Sequence, residues 1–79
     1  MKLSRNINAG QLIKALQMFG YEPSRQTGSH IRLTTQLKGQ HHITIPNHNP
    51  LKIGTLNAII TDVALHMGLS KQELLDELI

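Results

Sequence analysis

The spacing of apolar residues changes period along the chain, and each change marks a new element. Leu12, Leu16 and Phe19, with Ile13 beside them, recur at helical spacing. Asn8 stands where an N-cap belongs and Gln11 completes a capping box. Ile7 and Leu12 form a hydrophobic staple across the helix start. Gly20 supplies the stop, so the pattern predicts a helix over about 9–19. Pro23 rules out helix from Tyr21 to Gln26, and an edge strand is the natural reading. Thr27-Gly28-Ser29 reads as a turn. From His30 the period becomes two: Ile31, Leu33, Thr35 and Leu37 point one way, and His30, Arg32, Thr34 and Gln36 the other. Lys38-Gly39 is a hairpin turn. The following strand, His41 to Ile45, alternates as well and stops at Pro46.

Residues 47–54 carry no periodicity and form a loop. Leu56, Ile59, Ile60, Val63 and Met67 then mark one face of a second helix over about 55–67, closed by Gly68. Ser70 and Glu73 make a second capping box, and Leu69 and Leu74 a second staple, opening a short third helix. The order is α-β-β-β-α-α, an α+β class. A three-stranded antiparallel sheet is expected to carry helices on one face and leave the other open.

Composition narrows the function classes. The 79-residue chain has no cysteine, which excludes disulfides and thiolate metal sites and fits a reducing compartment. Its apolar runs fall far short of the ~18 residues of a membrane span. Met1-Lys2-Leu3-Ser4-Arg5 lacks the apolar core of a secretory leader, so the expectation is a complete, cytoplasmic protein with no membrane partner. Charge is unevenly placed. Seven of the eight basic residues lie between Met1 and Gly54, with Glu22 as the only acid there; Asp62, Glu73, Asp76 and Glu77 all follow residue 60. That asymmetry suits a polyanionic partner, or else simply a solubilising surface. Tyr21 and Phe19 are the only aromatics, too few for a base-stacking platform.

His30 is the candidate that stands out. It follows Gly28-Ser29, on the polar side of the alternation, with Arg32 two residues on. The glycine lets a ligand approach the backbone, and an imidazole titrating near neutral pH suits proton transfer at a phosphodiester. Spacing alone favours an ordinary exposed strand histidine over a catalytic one, since nothing local supplies a partner base. Adjacent strand positions face opposite ways, so His41 and His42 do not readily share a metal ion, and no metal or other cofactor is expected. His42 falls on the polar face, where parity suggests a place beside His30 across the strand pair. His41 is expected to pack at the sheet edge against a helix. His48 either lines the site or caps its loop, and His66 is expected to be simply solvated. Arg32, Lys38 and Lys52 are phosphate candidates. Lys52 precedes a helix N-terminus, whose free N–H groups attract anions, although Thr55 capping that helix explains the same residues.

Three stretches carry a family resemblance. Arg25-Gln26-Thr27-Gly28-Ser29-His30 resembles the "RQ-x-GSH" signature of HicA-type (YcfA-like) toxins. Ile43-Thr44-Ile45-Pro46-Asn47-His48 resembles the family's strand end, and Gly54-Thr55-Leu56 followed by Ile59-Ile60 its second-helix start. The resemblance covers nearly the whole chain and implies one HicA-like domain over residues 1–79 with a double-stranded-RNA-binding-like fold. It further implies an mRNA interferase of a toxin–antitoxin system, silenced by a HicB-type antitoxin, with His30 as the catalytic histidine. Arg25, Gly28 and Ser29 then join Arg32, Lys38, His42 and Lys52 as expected RNA or phosphate contacts, with His48 and Thr55 as site-lining residues. A non-catalytic RNA-binding module, and a protein-interaction component of a repressor complex, are the rival readings.

Overall fold

The computed structural model describes residues 7–78; the Met1–Arg5 stretch read for a leader lies outside the described residues. Helix α1 spans Ala9–Leu16, followed by a tight 3-10 turn over Gln17–Phe19. Its capping box forms as the sequence requires: Gln11 N–H donates to Asn8 Oδ1, and Asn8 N–H to Gln11 Oε1, both at 2.8 Å. Gly20 ends it in the left-handed region, at φ 81°, and a Cβ there would lie 2.7 Å from Thr35 Oγ1. Only glycine meets both demands.

Strands β1 (Glu22–Thr27), β2 (His30–Thr35) and β3 (His41–Pro46) form an antiparallel sheet in chain order, with β2 central. β1 is exposed throughout, as Pro23 in an edge strand allows, and its register slips between Pro23 and Arg25, so Ser24 is a bulge. Helix α2 (Ile53–Met67) and helix α3 (Lys71–Glu77) follow. This is the expected α-β-β-β-α order with an extra C-terminal helix.

One apolar cluster joins the helices to one sheet face. Leu12, Leu16, Leu33, Ile45, Ile60, Val63 and Leu74 are essentially inaccessible within it. Of the two staples, Ile7 and Leu12 are both buried, and Leu74 is buried in α3 with Leu69 half-buried against the same cluster. α3 opens on its own capping box, with Ser70 N–H donating to Glu73 Oε1 and Glu73 N–H to Ser70 Oγ. The Ser70 backbone N–H, with the Ser70 side chain adding to it, holds the Glu73 carboxyl below its ordinary pKa. Thr35, the buried polar residue, is satisfied: its hydroxyl donates to Phe19 O at 2.8 Å and accepts from Leu37 N–H.

Three expectations need correction. Leu37 is not an inward strand residue; β2 ends at Thr35 and Leu37 is half exposed. The turn takes it over, since Lys38 and Gly39 both adopt positive φ (57° and 96°). α2 starts at Ile53 rather than 55, with Lys52 at the N-cap and no side-chain cap bond. Thr55 therefore lies in the first turn and does not cap the helix. His66, expected in solvent, is part of a clasp between hairpin and helix. Its Nε2–H donates to Leu37 O (2.9 Å) and Gly39 O (3.1 Å), and its ring stacks on His41 with centroids 4.3 Å apart.

His41 itself faces the helices, as its parity suggests. Tyr21 Oη lies 2.8 Å from its Nδ1, and its Nε2 lies 3.3 Å from Asp62 Oδ1. A proton on Nε2 serves the carboxylate and leaves Nδ1 to accept from the tyrosine. Burial pushes the Tyr21 hydroxyl pKa up to about 12, with the Asp62 charge adding to it.

Candidate functional site

The open face of the sheet is built in rows by the strand register. Antiparallel partners share a face, so each row can be read across the three strands. The first row is Thr27, His30 and Pro46. The second is Arg25, Arg32 and Thr44, and the third Glu22, Thr34 and His42. Thus His30 and the two arginines occupy adjacent rows of one surface.

His30 begins β2 directly after the tight Gly28-Ser29 turn, where Gly28 takes φ 57°. Gly28, Ser29 and His30 are all exposed. Nothing lies within 4 Å of where a Gly28 Cβ would stand, so the approach to the turn is open. Behind it, Asn47 N–H donates to Ser29 O at 2.6 Å, pinning the β3–α2 loop against the turn. That loop is fastened in turn to α1, through Ala9 N–H to His48 O and Leu51 N–H to Ile7 O. His48 thus contributes its backbone to the frame while its side chain remains exposed.

Arg25 and Arg32 stand directly opposite each other. Like charges in that position destabilise a strand pair. Among the described residues neither guanidinium has a carboxylate partner, and His41–Asp62 is the ion pair present. The row thus puts two arginines on one face, a residue type whose guanidinium fork can receive a phosphate.

The remaining candidates separate. His42 is on the open face, as parity requires, but it pairs with Thr34 and not with His30. Thr34 lies four positions along β2 from His30, about 13 Å at the rise of an antiparallel strand. Thr34 Oγ1 lies 2.7 Å from His42 Nδ1, and Ser24 Oγ 2.9 Å from Thr34 Oγ1. This hydroxyl chain escaped the sequence reading, which gave Ser24 no role; the bulge turns it onto the open face. Lys38 does not join His30. It lies beyond the far end of β2, and its ammonium donates to Met67 O at 3.0 Å, closing the C-terminal end of α2. Lys52 and Thr55 sit at the start of α2, Lys52 exposed and Thr55 half buried.

No helix among the described residues is long and apolar enough to cross a membrane. No curated protein and no solved structure matches the chain. Residues 9–65 do match the family described as "HicA toxin of bacterial toxin-antitoxin". That stretch is well over half of the chain and contains the glycine turn, His30 and all three sheet rows, so the chain belongs to the HicA toxin family.

Proposed function

We propose that this toxin is an endoribonuclease that cleaves mRNA in the cytoplasm by histidine acid–base chemistry, with His30 as the catalytic group. The observation that carries the reading is His30 beside two directly opposed arginines, unpartnered among the described residues, in the next row of an open sheet face. Two forced cations cost stability when nothing lies between them, and a phosphate reverses that cost. In this reading the His30 imidazole removes a proton from an attacking 2′-hydroxyl or delivers one to the leaving oxygen. Either step typically contributes 10²–10⁴-fold. This chemistry needs no metal. Gly28 and Ser29 leave the turn open for the backbone of RNA to approach, and the loop that carries His48 is pinned to that turn at Asn47.

Membership of the family implies an antitoxin partner. We assign that role to a small HicB-like protein with an acidic surface covering Arg25, Arg32 and His30, the simplest way to silence a cationic site. The test is degradation of single-stranded RNA by the purified protein in EDTA. Cleavage that His30→Ala abolishes supports the reading. RNA that is bound but left intact by the wild-type protein replaces it with a binding module of the same fold, and RNA neither bound nor cut removes RNA as the target.

A further inference from the structure

The third row of the open face holds a feature that the proposed chemistry leaves unused. Ser24 Oγ, Thr34 Oγ1 and His42 Nδ1 form a continuous chain, with links of 2.9 and 2.7 Å. Ser24 Oγ also lies 3.3 Å from Arg32 O, which can only accept. Two proton arrangements put one proton in each link and leave no hydroxyl proton without an acceptor. In one, Ser24 donates to Arg32 O, Thr34 to Ser24, and His42 Nδ1–H to Thr34. In the other, Ser24 donates to Thr34 and Thr34 donates to His42 Nδ1. Hydroxyl donors bond oxygen at about 2.5–3.0 Å, and the Arg32 contact is longer than that. In the second arrangement the His42 ring is held at Nδ1 by Thr34 and presents Nε2–H as its donor.

We infer that His42 is a hydroxyl-locked hydrogen-bond donor for a second RNA subsite, holding the strand about 13 Å along β2 from His30. The inference rests on the RNA reading above and adds the path of the strand. Phosphates over Arg25 and Arg32 lie between the two histidines, because their row lies between the other two. At the ~3.4 Å per-strand rise of stacked nucleic acid the span is about four nucleotides, and fewer when the strand is stretched. The footprint is thus a single-stranded stretch of several nucleotides laid along β2. His42 is too far away to share the scissile phosphate with His30 and acts as a positioning residue. Its neighbours on the open face are Thr34 and Ser24, with Glu22 in the same row.

The experiment compares affinity for mixed-sequence RNA trimers and octamers in a His30→Ala background, where the RNA stays intact. The octamer is expected to bind more tightly than the trimer. Adding His42→Ala should weaken the octamer about tenfold, the usual scale of a hydrogen bond to a charged group, and leave the trimer unchanged. His42→Gln, which keeps an N–H donor, should restore much of the loss. Nitrogen NMR should show His42 protonated at Nε2, and Thr34→Val should disturb that signature without unfolding the protein. Equal octamer affinity with and without His42, or equal losses for both lengths, overturns the subsite while leaving the RNA reading intact. Failure of the parent protein to bind either RNA overturns both.

Discussion

His41 and His42 are neighbours in sequence and opposites in circumstance. His41 faces the helices, where Tyr21, Asp62 and the His66 ring occupy both its nitrogens and one of its faces. His42 faces outward, held at one nitrogen by Thr34 and exposed at the other. The same contrast runs across the whole sheet. On the covered side each polar group has a partner: Thr35 with Phe19 O, His66 with two carbonyls, Tyr21 with His41. On the open side His30, Arg25 and Arg32 have no side-chain partner among the described residues. Satisfied polar groups stabilise a fold, whereas unsatisfied ones at a surface are available to a ligand. The difference separates histidines tied into the fold from histidines turned outward in a chain that has five.

The contrast can be broken most readily at the arginine row. Replacing Arg25 and Arg32 together by alanine should lower RNA affinity by at least tenfold per lost charged contact. It should also reduce the salt dependence of binding by about 0.7 per phosphate contact. Thermal stability should hold or rise slightly, because an opposed cation pair is removed. A large loss of stability would mean that the row supports the fold instead of a ligand.

On the covered side the expected signs reverse. His66→Ala removes a donor to two carbonyls and a ring stacked on His41, so it should cost about 1–2 kcal/mol in denaturant unfolding. Activity per folded molecule should be unchanged. Unaltered stability would show that the clasp between the hairpin turn and α2 contributes nothing.

A change of pH sharpens the comparison further. The Tyr21 hydroxyl is held up to about 12, against 10.0 in the unfolded chain. Its contribution is therefore complete below pH 10. Between 10 and 12 the unfolded chain releases the proton and the folded one keeps it, so stability falls as pH rises. Tyr21→Phe should be less stable at neutral pH and lack this share of the alkaline loss. Parallel stability–pH curves for the two proteins would contradict the assignment.

How much of this was legible in the sequence follows from the range of each interaction. Both capping boxes, the Gly20 stop and the turn at Lys38-Gly39 are decided within a few residues, and all appear. The faces of His30, Arg32, His41 and His42 follow from strand parity and also hold. Parity does not give neighbours, and the expected pairing of His42 with His30 failed for that reason. In an antiparallel hairpin the turn fixes the register, and a turn at 38–39 sends His30 to Pro46 and His42 to Thr34. The His66 clasp and the commitment of Lys38 to Met67 O join hairpin to helix across 27–29 residues, and no local pattern announces them. Thr55 misled because a good capping residue near a helix start outweighed the extended Lys52 that in fact precedes it.

The central claim is that chemistry belongs to the open face and stability to the covered one. Measuring RNA cleavage per folded molecule and the unfolding midpoint side by side in His30→Ala and His41→Ala tests it most directly. His30→Ala is expected to lose 10²–10⁴-fold in cleavage rate, with stability within about 0.5 kcal/mol of wild type. His41→Ala is expected to unfold earlier, because Tyr21 and Asp62 lose their shared partner, and to cleave normally while folded. The reverse pattern, a destabilised His30→Ala that still cleaves or a stable His41→Ala that does not, would contradict the account.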